Sequence, residues 1–230
     1  RDRITLEDVD VLDTHTLFER MRAYEGRIDA VVFGVAVIAG PNFDRRPFHH
    51  IEINTVGMLN VIETCRILGV PKFINMSSGA VYGDQPGGQT EDTPYQTTDL
   101  YSSSKIANEV LALQYGATYG FDVCNARLFA VYGPGKLPSR MHLFYQALFG
   151  PLEGMRDIAT PNGGDQFMDW THVRDSAQGV IRILDTPGIG GESFNISCGV
   201  AVRSADIAAA VRDAIGEDPR VTFGPGRFLQ

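Results

Sequence analysis

Hydrophobic and polar positions follow two different periods along this chain, and their succession predicts alternating strands and helices. Residues 30–37 form a continuous apolar run, which is typical of a parallel strand buried on both faces. Before it, Asp13 is placed to cap a helix whose apolar face includes Leu17, Phe18 and Met21. The pattern therefore indicates an α/β chain.

The alternation continues towards the end of the sequence. Further helices are predicted at residues 55–68, 102–119, 176–184 and 205–215, and further strands at 72–77, 122–131 and 193–197. This order predicts a Rossmann-like, doubly wound parallel sheet. The interval 133–164 contains four prolines and interrupts the rhythm, which is typical of a loop-rich region.

One group of polar residues indicates a proton-transfer site. Tyr101 and Lys105 stand four positions apart at the start of a predicted helix, so the ammonium would lie beside the phenol and lower its pKa. A tyrosine tuned in this way can act as a base near neutral pH. Ser78, at the end of a predicted strand, would hydrogen-bond the substrate oxygen on which charge develops. The set favours alcohol–carbonyl redox chemistry, although the Tyr–Lys spacing alone is more typical of a solvated helical pair.

Composition narrows the classes of protein that fit. The chain has 230 residues, 43% of them hydrophobic, and a net charge of −8, which argues against a nucleic-acid partner. Its longest apolar run, residues 28–39, is too short to span a bilayer, so we expect no membrane association. Cys65, Cys124 and Cys198 are widely spaced and are interpreted as reduced core thiols of a cytoplasmic protein. The histidines lack metal-ligand spacing, so no metal site is predicted.

Several segments, in order and spacing, resemble the extended short-chain dehydrogenase/reductases, also called the NAD-dependent epimerase/dehydratase family. They are residues 10–13, 29–37, 54–61, 76–83, 101–105, 127–134 and 169–175. These segments cover nearly the whole chain. On this basis the chain is identified as a member of the family.

The resemblance implies a role for each catalytic candidate. Tyr101 would be the general acid/base, and Lys105 would lower its pKa and hydrogen-bond the nicotinamide ribose. Ser78 would orient and polarise the substrate oxygen, and Asn54 would hold a water in the proton relay to Lys105. From its residue type alone, Asn54 would equally well cap or bend a helix. The substrate-facing residues implied are Ser78, Gly79, Ala80 and Tyr101.

The resemblance also implies a cofactor, NAD or NADP. Asp10 and Val11 fall where the family contacts adenine, and backbone at Val35 and Ala36 falls where it lines the cofactor. Phe129 falls where an aromatic ring packs near the nicotinamide. Ordinary core packing accounts equally well for the apolar positions. The choice between NAD and NADP stays open, because the strand that normally sets it has no counterpart in this sequence.

The expected domain organisation follows from the same comparison. No segment matches the family's glycine-rich GxxGxxG turn, so we expect the chain to start after the first βαβ unit. Residues 1–133 would then form a partial dinucleotide-binding domain. Residues 134–230 would form a small C-terminal substrate lobe, with segments at about 165–200 returning to the sheet.

Some positions depart from the family pattern. Related dehydratases carry acidic residues where this chain has Gly79 and Ala80, which disfavours dehydration. Nucleotide-sugar epimerases usually place an asparagine at the position of Ala130 and an arginine at that of Met168. This chain lacks both polar groups, which weakens the expectation that its substrate is a nucleotide sugar. Four other basic residues could supply the missing charge: Arg127, Lys136, Arg140 and Arg174. We expect them instead to be solvated surface residues.

The sequence therefore predicts an NAD(P)-dependent oxidoreductase that transfers hydride to or from a secondary alcohol of a small polar substrate such as a sugar or sugar acid. Epimerisation of a nucleotide sugar through a keto intermediate is the alternative enzymatic function, and a non-catalytic cofactor-binding protein is the alternative from another class. A homodimer is expected from the family. Four residues would either form the helical contact of this dimer or face the sheet: Met58, Ile62, Leu111 and Tyr115.

Overall fold

The chain folds as two compact units. The computed structural model describes residues 4–38, 46–85, 87–136 and 143–226. One unit comprises Arg1–Arg127 and Val180–Asn195, and the other comprises Leu128–Gly179 and Ile196–Gln230. The first division of the chain thus falls after Arg127. The boundary expected after residue 133 and the expected substrate lobe remain predictions.

Helices and strands alternate over much of the described chain, as the apolar pattern predicts. In chain order they are α1 (Thr14–Arg22), β1 (Val31–Phe33), α2 (Pro47–Ile51), a π-helical turn (Glu52–Val56), α3 (Gly57–Ile67), β2 (Lys72–Ser78), a 3₁₀ turn (Gly79–Tyr82), α4 (Leu100–Tyr119), β3 (Asp122–Leu128), β4 (Ala130–Tyr132), α5 (Leu143–Phe149), a second 3₁₀ turn (Gly150–Glu153), β5 (Asp157–Asn162), β6 (Phe167–His172), α6 (Val173–Asp185), β7 (Ser193–Ile196), β8 (Ala201–Arg203), α7 (Ser204–Ile215) and β9 (Arg220–Gly226).

The first unit is organised around a four-stranded sheet with the strand order β1-β2-β3-β7. Strands β1 and β2 are parallel, with Phe33 opposite Asn75. The sheet and the helices α1, α3 and α4 bury one apolar cluster, in which Met58 and Ile62 are fully buried. These two side chains therefore pack inside the chain and are not available for a helical contact with a second copy.

Helix α4 begins earlier than the predicted start at residue 102 because Asp99 caps it. The Asp99 carboxylate accepts a hydrogen bond from the Ser102 amide at 2.7 Å, and the Ser102 hydroxyl accepts one from the Asp99 amide at 3.2 Å. This reciprocal capping box satisfies amides that the first turn would otherwise leave unpaired. The helix ends at Gly120, whose φ of 76° is left-handed. Tyr101 therefore lies inside the first turn.

The predicted strands are shortened or interrupted in two places. The apolar run 30–37 forms a strand only over Val31–Phe33, and the predicted strand 122–131 breaks at Phe129 into β3 and β4. Hydrophobicity alone does not reveal these ends, since they depend on which neighbouring strand supplies hydrogen bonds.

The second unit contains strands that the sequence pattern did not predict. One sheet has the order β4-β6-β8, and β5 pairs in parallel with β9. Strand β6 runs parallel to β4 and antiparallel to β8. The core of this unit includes Tyr145, Leu148, Met168, Trp170 and Ala208.

Two expectations about surface and core are wrong. Cys65 and Cys124 are buried, but Cys198 is exposed, so the three thiols do not all lie in the core. Arg127, expected at the solvated surface, is only 3% exposed. Over the described ranges, no helix is long and apolar enough to cross a membrane. The same ranges contain no cluster of three or more His, Cys, Asp or Glu side chains arranged for a metal ion.

Candidate active site

The residues with predicted chemistry converge at one edge of the first unit's sheet. Ser78 ends β2, and Val35 and Ala36 follow the end of β1. Because β1 and β2 are parallel, their carboxyl ends lie at the same edge, where ligands usually bind in open α/β sheets. The Val35 side chain is exposed there.

The Ser78 hydroxyl acts on the Tyr101 phenol and favours its ionised form. The Ser78 hydroxyl also accepts a hydrogen bond from the Ala80 amide at 3.2 Å, which fixes its direction. Burial raises the pKa of the Tyr101 phenol, and the hydrogen bond from Ser78 only partly offsets this rise. The expected lowering of the Tyr101 pKa by a neighbouring ammonium is therefore not what this structure shows.

Lys105 lies on the same side of α4 and is 3% exposed. Its ammonium donates a hydrogen bond to the Met76 carbonyl at 2.7 Å and lies 5.8 Å from the centre of the Tyr101 ring. Burial lowers the pKa of Lys105 to about 8, and the charge of Glu109 counteracts that effect. Lys105 is thus held close to the sheet edge rather than in direct contact with the phenol oxygen.

Asn54 lies in the π-helical turn between α2 and α3. Its side-chain oxygen accepts from the Val37 amide at 2.7 Å, and its side-chain nitrogen donates to the Val37 carbonyl at 3.0 Å and to Ser104 Oγ at 3.1 Å. Its main-chain carbonyl accepts from Asn108 at 2.8 Å. A π turn frequently marks a functional site within a helix. Here the Asn54 amide ties the chain after β1 to this turn, and the predicted water relay remains a prediction.

The adenine-contact candidates form a turn against α3. The Asp10 carboxylate accepts from the Leu12 amide at 2.9 Å, and Asn60 donates to the Val11 carbonyl at 2.9 Å. A Cβ at Gly57 would lie 2.6 Å from a Val11 methyl, so only glycine allows this close approach. Asp10 remains exposed.

The remaining candidates lie as follows. Gly79 and Ala80 form the start of the 3₁₀ turn, and the segment Gly79–Tyr82 carries no carboxylate. Phe129 belongs to the second unit, and its role beside a nicotinamide remains a prediction. Ala130 and Met168 are buried in the core of the second unit and present no polar group.

The basic candidates of the second unit do not share one environment. Lys136 donates to the Val131 carbonyl at 2.6 Å and lies 4.1 Å from the centre of the Tyr145 ring, and burial lowers its pKa to about 8. Arg174 is exposed, as expected. Arg140 lies outside the described residues.

The sequence reasoning missed a buried polar network beside these residues. Glu109 and Arg127 form an ion pair at 2.8 Å, and their side chains are 0% and 4% exposed. The phenols of Tyr82 and Tyr95 accept hydrogen bonds from the guanidinium at 2.6 and 3.2 Å. Two signals were present: Glu109 stands four positions after Lys105 on the same helix, and Arg127 is followed directly by the apolar residues 128–131.

A family model and individual relatives point to the same protein family. The sequence model described as the NAD dependent epimerase/dehydratase family matches residues 1–197. UDP-glucose 4-epimerase of Mycolicibacterium smegmatis is 31% identical over 191 residues, which cover 80% of this chain and 59% of that protein. A dTDP-glucose 4,6-dehydratase of Streptomyces antibioticus is 31% identical over 172 residues, which cover 74% of this chain and 50% of that protein. The chain therefore spans roughly half or somewhat more of the length of these relatives.

Solved structures agree with the sequence comparison. The UDP-glucose 4-epimerase of Thermus thermophilus in complex with NAD superimposes with a TM-score of 0.83 at 27% identity, covering 95% of this chain and 71% of that one. MoeE5 in complex with UDP-glucose and NAD gives a TM-score of 0.83 at 25% identity, covering 95% and 72% of the two chains.

Proposed function

Because the chain belongs to the NAD-dependent epimerase/dehydratase family, we propose that the protein transfers hydride between NAD and a secondary alcohol of a sugar. The observation that carries this proposal is the convergence of Ser78 and Tyr101, with the Lys105 ammonium buried 5.8 Å from the centre of the Tyr101 ring. A hydroxyl pair of this kind can hold the oxygen of an alcohol or carbonyl and exchange a proton with it.

The residues at the sheet edge fit NAD as the cofactor. A buried lysine ammonium next to an exposed edge suits the hydroxyl groups of a ribose, and Lys105 occupies that position. Asp10 and Val11 would contact the adenine end, and the backbone at Val35 and Ala36 would line the cofactor. When bound, NAD supplies the acceptor and donor of hydride.

Proton movement is the part of the reaction assigned to the protein. In the oxidative direction, the phenolate of Tyr101 accepts the proton of the substrate hydroxyl, and in the reductive direction the phenol returns it. The Ser78 hydroxyl hydrogen-bonds the same substrate oxygen and holds it in line. Burial raises the pKa of Tyr101. The Lys105 ammonium lies 5.8 Å from the centre of the ring, and we propose that its charge stabilises the phenolate when it forms.

Epimerisation through a keto intermediate is the overall outcome we favour over dehydration. The turn Gly79–Tyr82 carries no carboxylic acid that could assist loss of water. The names of similar proteins include UDP-glucose 4-epimerase, which supports a nucleotide-linked sugar as substrate. The apolar, buried Ala130 and Met168 support a second candidate, net oxidation or reduction of a sugar that lacks a nucleotide.

The test of the proposed function is Tyr101→Phe in the intact protein supplied with NAD and a panel of nucleotide-linked and free sugars. We expect turnover to fall by about 10²–10⁴-fold, because the variant cannot exchange the proton. Tyr115→Phe on the same helix is the matched control and should retain turnover. Product analysis by NMR and absorbance at the NADH band separate epimerisation from net oxidation. Unchanged turnover in Tyr101→Phe would overturn the proposal.

The remaining partner expectations stay predictions. A small-molecule sugar is the proposed substrate. A homodimer remains expected from the family, and the side chains of Ile67 on α3 and of Val110 and Tyr119 on α4 are exposed enough to take part in one.

A further inference from the structure

A buried network joins the two elements that carry the candidate catalytic residues. Glu109 lies on α4, eight positions after Tyr101 and four after Lys105. Its carboxylate accepts three hydrogen bonds from Arg127 on β3, at 3.0, 3.1 and 2.8 Å, and one from Tyr95 at 2.8 Å. A paired carboxylate and guanidinium of this geometry are directional as well as strong.

The same guanidinium reaches the turn that follows Ser78. Arg127 Nη1 donates to the Tyr82 phenol at 2.6 Å, and that phenol donates to Asn195 at 2.7 Å. Tyr82 ends the 3₁₀ turn that Ser78 caps. The turn is therefore anchored at its far end to Arg127, and through Arg127 to Glu109 on α4.

The proposed mechanism uses neither member of this pair. An ion pair removed from water is weak evidence for stability, because desolvation of both charges offsets their attraction. Its place between the Ser78 turn and the Tyr101/Lys105 side of α4 suggests a different role.

We propose that the Glu109–Arg127 pair is a positioning element of the candidate active site, which fixes the Ser78 turn against α4 and sets the net charge felt by Lys105. This inference rests on the proposed function, because positioning matters only if Ser78, Tyr101 and Lys105 act together. Glu109 and Arg127 touch no reacting atom and act through these neighbours.

The charge component makes a prediction of opposite sign for the two residues. Glu109→Gln leaves a buried guanidinium without its counter-charge, so the pKa of Lys105 should fall below about 8. Arg127→Met leaves a buried carboxylate without its partner, so the pKa of Lys105 should rise. We expect the pKa of Lys105 to change by about one pH unit in each direction. Simple loosening of the structure would not give opposite shifts.

The other titratable and charged groups on the elements around Lys105 are unchanged in both variants. Those on the elements that pack against α4, on its cap and on its first turn are His49 and His50 on α2, Glu52 in the π turn, Glu63 and Arg66 on α3, Lys72 on β2, Tyr82 in the 3₁₀ turn, the cap Asp99, and Tyr101. Glu109 is the charged group that acts on the pKa of Lys105 most directly. A difference in the pKa of Lys105 between the two variants therefore reports the charges of the Glu109–Arg127 pair.

The experiment is an NMR titration of ¹³C-labelled lysine side chains in the intact protein, with Lys105 assigned by its loss in Lys105→Met. This readout needs neither substrate nor turnover, so it remains informative if the proposed function is wrong. Opposite shifts in Glu109→Gln and Arg127→Met support the inference. Shifts in the same direction, or no shift in either, overturn it.

The double variant Glu109→Gln/Arg127→Met covers the case in which a single variant does not fold. It leaves no unpaired buried charge, so we expect it to fold and to show Lys105 titrating close to the wild-type pH. Turnover should still fall by about tenfold or more, because the anchor of the Ser78 turn is lost. Full turnover in the double variant would overturn the positioning role.

Two further variants separate positioning from stability. Tyr82→Phe removes the anchor without changing any charge, so it should lower turnover while Lys105 titrates as in wild type. Asn125→Ala removes a buried neutral side chain of β3 that hydrogen-bonds Asn75 at 2.9 Å and should lower only the free energy of unfolding. If Tyr101→Phe is inactive but Tyr82→Phe and Asn125→Ala have the same turnover, the inference fails while the proposed function stands.

Discussion

At the residue scale, Lys105 shows how burial changes chemistry that the sequence suggests. The i,i+4 spacing predicts an ammonium that tunes the Tyr101 phenol, and the spacing is indeed realised on α4. Burial, however, raises the pKa of the phenol and lowers that of Lys105 to about 8. Both shifts have the same cause, because a site removed from water penalises each charged form.

Lys105→Met should therefore stabilise the folded protein at pH 7 while removing activity. The folded-state pKa of Lys105, about 8, lies below its ordinary 10.5, so the unfolded chain binds more protons between these pH values. Lys105 thus opposes folding most at and below pH 8, and this cost disappears as pH rises towards 10.5. We expect a gain of about 2–3 kcal/mol in the free energy of unfolding at neutral pH.

The measurement is urea denaturation of wild type and Lys105→Met at pH 7 and pH 10. The difference between the two proteins isolates Lys105, because the other groups titrate in both. A difference that is independent of pH, or a loss of stability at pH 7, would contradict the pKa direction.

At the scale of elements, local signals set where helices begin, and packing sets what they approach. Asp13 was predicted as a cap, and its carboxylate accepts the amide hydrogen bond of Thr16. Asp99 caps α4 in the same way, although the sequence analysis placed the start of that helix at residue 102. The π turn at Glu52–Val56 and the approach of Val11 to Gly57 have no such local signal. They arise because the chain after β1 and the turn at Asp10 must pack on the same helix.

Gly57→Ala tests that approach. Alanine is intrinsically favoured over glycine in a helix by about 1 kcal/mol. The added Cβ would nevertheless lie 2.6 Å from the Val11 methyl, so we expect the free energy of unfolding to fall by about 1–3 kcal/mol. The affinity for NAD should fall as well, because the turn at Asp10 is displaced.

Gly88→Ala is the control for this variant, since a Cβ there meets no atom within 4 Å. Thermal unfolding and NAD titration of both variants provide the comparison. Greater stability in Gly57→Ala than in wild type would show that Val11 can move away without cost.

At the scale of the whole molecule, the apolar pattern predicts the first unit better than the second. The strands of the first unit are recognisable as apolar runs between helices, whereas β5, β6, β8 and β9 contain charged residues, proline or glycine and follow no clear period. Such strands depend on their partners for hydrogen bonds and burial, and single-sequence patterns do not contain that information.

The thiols provide a measurement on the native molecule as a whole. One cysteine, Cys198, should react with a thiol reagent in the folded protein, because Cys65 and Cys124 are buried. All three should react after denaturation, and Cys198→Ser should remove the native reaction. Burial raises the pKa of each thiol, so labelling should accelerate with increasing pH. Rapid native labelling of all three thiols would contradict the described cores.

The sequence by itself determined the residue types, their order and their local spacing. These were enough to predict the α/β class, most helices of the first unit, the Ser78, Tyr101 and Lys105 set, and the family to which the chain belongs. Only the tertiary structure decided the directions of the pKa shifts, the exposure of Cys198 and the burial of Glu109 with Arg127. The physical reason is that helix periodicity and capping act over a few residues, whereas desolvation and ion pairing depend on groups that are distant in sequence and meet only in the folded chain.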